Sequence, residues 1–81
     1  MEGVHPAVHR NSARSLVADL ARWRLSRSSY WQIRQITCRY HEGVLVLYGH
    51  LSFYYLKQLA QETVRDLEGV EEIINHIEVE R

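Results

Sequence analysis

An α+β fold with five elements in the order helix, strand, strand, helix, strand follows from three observations on this 81-residue chain. Apolar residues recur at helical spacing over about 13–26 and again over about 53–67. Between these stretches the pattern alternates at period two on both sides of Glu42-Gly43, the mark of a hairpin. A third alternating run, Val70 to Val79, closes the chain. The expected architecture is αββαβ, two helices packed on one face of a three-stranded mixed sheet. It occupies residues 12–81 as one domain behind a flexible N-terminal arm, 1–11, which holds Pro6, scattered histidines and no periodicity.

The first helix is expected to bury Leu16, Leu20 and Trp23, spaced four and three apart, with Ala13 and Val17 beside them. Asn11 or Ser12 is expected to cap its start. Arg24 and Arg27 fall in its last turn, where cations suit the negative end of the helix dipole. If Glu42 and Gly43 form a two-residue turn, His41 faces Val44 and Arg39 faces Val46. That register sends Ile36, Cys38, Tyr40, Leu45, Leu47, Gly49 and Leu51 to one face, the expected core side. Gln35, Thr37, Arg39, His41, Val44, Val46, Tyr48 and His50 go to the other. Ser52 is expected to cap the second helix, whose stripe Phe53, Leu56, Ala60, Val64 and Leu67 faces the core. In the last strand Ile73, Asn75, Ile77 and Val79 take one side, and Ile74, His76, Glu78 and Glu80 the other. Leu45 through the second helix to Val79 reads as a right-handed β-α-β crossover.

Composition bounds the function. The chain is 46% apolar and 25% charged, which describes one small globular unit. A single cysteine, Cys38, excludes an internal disulfide framework. No apolar run approaches the roughly 20 residues of a membrane span, and the N-terminus lacks the features of a signal peptide, so the sequence as written is expected to stay in the cytoplasm. The net charge of zero is a cancellation. Residues 1–40 hold seven arginines against Glu2 and Asp19, a surplus of +5, and residues 41–81 hold three bases against eight acids, a deficit of −5. Such asymmetry folds on itself, pairs copies head to tail, or marks an end that binds polyanions.

The ordered set Gly43-Val-Leu-Val-Leu-Tyr-Gly49-His-Leu51, then Lys57, Ala60 and Val64, then Leu67-Glu-Gly69-Val70 and Ile73-Ile-Asn75-His-Ile77-Glu-Val79 resembles the BON domain. This small module occurs in osmotic-stress, haemolysin-like and secretion-related bacterial proteins, and the resemblance covers about residues 12–80. It implies an αββαβ fold and a non-enzymatic role in binding phospholipid or other proteins, usually in the cell envelope, which a leader removed from the chain would allow here. This chain departs from that picture in being a single module without an export signal. The motif residues Gly43, Gly49, Gly69, Val70 and Asn75 are read as structural. Gly43 supplies a positive φ in the turn and Gly69 after the helix, while Gly49 lets a helix approach the sheet.

His41 and His50 share a face but stand about 20 Å apart at 3.3 Å per residue, too far to share a metal. His5 and His9 flank Pro6 in an aperiodic stretch. Cys38 lies on the core face, where a thiol acts as a small apolar group. No metal, cofactor or catalytic site is expected. Arg39, Val44, Val46, Tyr48 and Ile74 form an apolar patch with a polar rim on the open sheet face, which reads as an interface for a protein partner or a second copy, with Tyr54 and Tyr55 as extensions. The alternative lies in residues 22–34, where Arg24, Arg27, Tyr30, Trp31 and Arg34 mix cations and interfacial aromatics as an anionic phospholipid surface requires. Nucleic acid is disfavoured because Glu78 and Glu80 join the open face.

Overall fold

The computed structural model describes the backbone of residues 6–80 and the side chains of residues 16–80. Strands β1 (Thr37–His41), β2 (Val44–Leu51) and β3 (Glu72–Val79) form one mixed sheet in that order. The hairpin register is the expected one, with His41 opposite Val44, Arg39 opposite Val46 and Thr37 opposite Tyr48. Both turn residues take positive φ, 47° at Glu42 and 88° at Gly43, as a two-residue hairpin loop demands. Strand β3 runs parallel to β2, from Val44 beside Glu72 to Leu51 beside Val79. The turn also starts this third strand, because the Gly43 carbonyl accepts the N–H groups of Glu71 (2.8 Å) and Glu72 (3.1 Å).

Helices α1 (Pro6–Ser26), α2 (Trp31–Arg34) and α3 (Tyr54–Val64) complete the fold. The core lies on one side of the sheet. Cys38, Leu45, Leu47, Leu51 and Ile77 meet Ala21 and Leu25 of α1, Ile33 of α2, Ile36, and Leu56, Ala60, Val64 and Leu67 from α3 and its exit. Tyr40, Val70 and Ile73 pack at its edge. No polar or charged side chain is buried among the described residues.

Four expectations need correction. Helix α1 begins at Pro6, not near 13, so residues 6–11 of the expected arm are helical and Asn11 and Ser12 lie inside the helix instead of capping it. A proline suits that first position, where no N–H bond is required of it. The buried face of α1 is also rotated. Ala21 and Leu25 are buried, with Val17 and Ala18 half-buried, whereas Leu16, Leu20 and Trp23 are exposed. Small residues at 18 and 21 bring the helix backbone so near β1 that the Cys38 thiol reaches the Ala18 carbonyl at 3.7 Å.

The third correction concerns the entry to α3. Phe53, not Ser52, holds the N-cap position, and no side chain caps it; Phe53 is exposed. Ser52 is bound to α2 instead. Its Oγ accepts from Gln32 Nε2 and its N–H donates to Gln32 Oε1, both at 3.0 Å. Fourth, Gly49 admits Ile36 and not a helix: a Cβ there would stand 2.7 Å from Ile36 Cδ1. Gly69 follows α3 with φ +94°, as expected, and its carbonyl accepts the Tyr40 hydroxyl at 2.6 Å. Asn75 faces α3, where its amide bonds the helix.

Candidate functional site

The register brings Arg39, Val44, Val46, Tyr48 and Ile74 together on the outer sheet face, with Arg39 across from Val46 and Ile74 beside it on the other flank. No described helix covers this face, since every core contact is on the opposite side. Its apolar groups are nonetheless partly sheltered. Val44 and Val46 are half-buried by neighbours on both sides of the central strand, and Ile74 is only 36% exposed. Tyr48 stacks on His76 at 5.9 Å with 17° between the rings. His50 stands near Glu78 (3.7 Å) and Glu80 (3.9 Å), giving the rim an acidic end.

A second surface lies at the end of the sheet where β1 begins and β2 finishes. Antiparallel pairing puts the segment entering β1 beside the segment leaving β2, and the Gln32–Ser52 bonds clamp the two. Tyr30 and Trp31 come from the first segment, Phe53, Tyr54 and Tyr55 from the second. Tyr30 meets Tyr55 edge-on at 6.3 Å, and Tyr55 stacks on Phe53 at 5.6 Å. Tyr30, Trp31, Phe53 and Tyr55 line a shallow cleft of about 240 Å³ above the buried Leu56. All five rings are between 41% and 65% exposed. Tyr54 and Tyr55 had been expected to extend the outer sheet face; Tyr55 joins this end instead.

The arginines of segment 22–34 divide. Arg27 holds its guanidinium 4.8 Å over the Trp23 ring. Arg34 donates to the Ser28 carbonyl at 2.8 Å, and its residue is otherwise exposed. Arg24 is spent inside the fold: it bonds Asp66 Oδ1 and donates to the Thr63 carbonyl at 3.3 Å, tying α1 to the end of α3. That guanidinium holds the Asp66 carboxyl below its ordinary range. Arg24 therefore leaves the group of free cations that the sequence pattern proposed. No spacing rule links positions 24 and 66.

Among the described residues no three of His, Cys, Asp and Glu converge as a metal site requires; His5 and His9 lie outside the described side chains. Burial pushes the Cys38 thiol up from its ordinary value, which disfavours the nucleophilic thiolate. Native protein is therefore expected to resist a thiol reagent such as DTNB at neutral pH, while urea-unfolded protein reacts fully. Because the fold favours the neutral thiol, its contribution to stability is present below the ordinary thiol pKa and lost as pH rises through the folded one. Equal labelling rates for folded and unfolded protein would refute a buried Cys38.

A helix-backed ααββαβ sheet with one bare face and one aromatic end fits a class of protein, the small binding module. The BON domain family model matches residues 14–81, and the chain belongs to the BON domain family. No curated protein matches the chain. The matched residues include Gly43, Gly49, Gly69, Val70 and Asn75.

Proposed function

We propose that this domain docks peripherally on an anionic phospholipid surface through its aromatic end. The observation that carries this reading is the set of five rings, Tyr30, Trp31, Phe53, Tyr54 and Tyr55, exposed together beside a segment that bears Arg27 and Arg34. Tyrosine and tryptophan combine an apolar body with a polar tip, so they settle at the headgroup level of a bilayer. Each nearby cation adds about 1 kcal/mol at an anionic surface, screened within a Debye length of roughly 8–10 Å. Among the described residues no helix is long and apolar enough to cross a membrane.

The test is co-sedimentation with phosphatidylglycerol-containing and pure phosphatidylcholine vesicles at low and high salt. Binding is expected on the anionic vesicles alone and to weaken with salt. Arg27→Glu with Arg34→Glu should reduce it at least tenfold. Arg24 is left intact because it holds Asp66. Salt-insensitive binding to both vesicle types, or no change in the double variant, defeats the proposal.

A second reading keeps the outer sheet face as a seat for a protein partner. Its support is the uncovered patch of Val44, Val46 and Ile74 rimmed by Arg39 and Tyr48. The half-burial of its two valines gives it less free apolar surface than the aromatic end offers.

A further inference from the structure

The aromatic end of the sheet has an acidic neighbour. Strand β3 finishes beside the end of β2, with His50 paired to Glu78 and the Leu51 carbonyl accepting the Glu80 N–H at 2.9 Å. Both glutamates therefore emerge where β2 leaves for the aromatic segment 53–55. Trp31, Gln35, His50 and Glu80 line a cleft of about 200 Å³ there, and Trp31 also walls the aromatic cleft, so one ring belongs to both. The His50 imidazole lies between the carboxylates. Its Nε2 is 3.7 Å from Glu78 Oε1, and its Nδ1 is 3.9 Å from Glu80 Oε2. All three side chains are more than half exposed. From the α2 side the cleft receives Trp31, Gln32 and Gln35, none of which titrates. Arg34, the charged residue of α2, is held at the Ser28 carbonyl. The remaining titratable neighbour on β3 is His76, two residues before Glu78, whose ring stacks on Tyr48.

We propose that His50 is a pH gate on the docking surface, holding attachment to anionic phospholipid weak in alkaline medium and strengthening it as the medium acidifies. The inference rests on the phospholipid reading above and adds its regulation. Charge sets the direction. With His50 neutral, Glu78 and Glu80 bring two negative charges to the end of the sheet that Trp31 presents, and an anionic bilayer repels them. With His50 protonated, the imidazolium between the carboxylates lowers that charge to one. Histidine is the side chain that changes charge between about pH 5 and 8, a range over which phosphodiester headgroups stay ionised. One unit of charge at an anionic surface changes binding about fivefold, provided it lies within a Debye length of roughly 8–10 Å. A cleft of the volume that Trp31, His50 and Glu80 share is narrower than that, so the pair acts where Trp31 meets the bilayer. His41, in contrast, sits at the hairpin end, opposite Val44 and about 20 Å of strand away from His50.

Co-sedimentation of the full 81-residue chain with phosphatidylglycerol-containing vesicles, at about pH 8 and about pH 5.5 and constant ionic strength, tests this. Parent protein is expected to bind about fivefold tighter at the lower pH. His50→Gln should lose most of that ratio, whereas His41→Gln should keep it. Glu78→Gln with Glu80→Gln should bind at the higher pH at least as tightly as parent protein does at the lower. All four positions are exposed, and unchanged far-UV spectra will show that the variants fold. Parent binding that is equal at both pH values overturns the gate and leaves the docking reading standing. So does a His50→Gln variant with the parent's ratio, or a His41→Gln variant that loses as much as His50→Gln, the mark of a general gain in positive charge. Parent protein that binds at neither pH defeats the docking reading itself, and the gate with it.

Discussion

Leu47→Ala is expected to remove about 2–5 kcal/mol of stability, enough to leave a domain of this size largely unfolded near physiological temperature. Leu47 is 0% exposed at the centre of the middle strand, between Cys38 on one side and Asn75 on the other. Truncation there forfeits the transfer energy of the isobutyl group and opens a cavity that a sheet held on both edges cannot close. The informative control is its neighbour. Val46 is one residue away but points to the outer face and is half-buried, so Val46→Ala should cost at most about 1 kcal/mol. Urea unfolding followed by far-UV dichroism measures both, and a fall in midpoint at constant slope assigns the change to stability. If the two alanine variants lost equal stability, the division of β2 into a core face and an outer face would be wrong.

That division was legible in the chain itself. Side chains in a strand alternate strictly, and a two-residue turn at Glu42-Gly43 leaves one register for the hairpin. The rotation of α1 was not legible by the same means. Both its faces hold apolar residues at helical spacing, and bulk favoured Leu16, Leu20 and Trp23 over the Val17, Ala18 and Ala21 row. What governs burial there is close approach, which small residues permit and large ones block, and hydrophobicity alone does not rank that. Helix α2 is four residues long, too short to show any period, yet it buries Ile33 completely. It was therefore invisible to pattern reading.

The aromatic end was half legible. Tyr30 and Trp31 stood out within an arginine-rich segment, but Phe53, Tyr54 and Tyr55 were assigned to a core stripe and to the outer sheet face. The missing step was topological. An antiparallel β1–β2 pair places whatever enters β1 beside whatever leaves β2, so two aromatic runs flanking the hairpin at equal depth must share one end. The Arg24–Asp66 bond joins residues 42 apart and depends on how α1 crosses α3, which no local signal encodes. On the proposed phospholipid reading it takes one cation out of the docking surface and leaves Arg27 and Arg34 to supply the charge.

Asn75→Ala is expected to cost about 1–3 kcal/mol, a large effect for one side chain of middling burial. Asn75 is the polar member of the row Ile73, Asn75, Ile77 and Val79 that β3 turns toward the core. Its Nδ2 donates to the Lys57 carbonyl at 3.2 Å and to Gln61 Oε1 at 3.1 Å, fastening α3 to the strand. Its Oδ1 accepts the N–H of Ile77 at 3.1 Å. The bond from Ile77 matters because β3 is an edge strand. The N–H groups of Glu72 and Glu80 donate toward β2, to Gly43 and Leu51, so alternation turns the odd-numbered N–H groups, Ile77 included, to the open edge. Asn75 thus caps one edge donor while it holds the helix. Asn75→Asp separates the two roles: it keeps the acceptor, loses both donors, and sets a carboxylate against two acceptor oxygens. The aspartate variant should therefore be destabilised at least as much as the alanine variant, while protecting the Ile77 amide better against hydrogen exchange. Parent-like stability in Asn75→Asp would show that the bonds to Lys57 and Gln61 contribute nothing, and an Ile77 amide that exchanges equally in both variants would remove the edge-capping role.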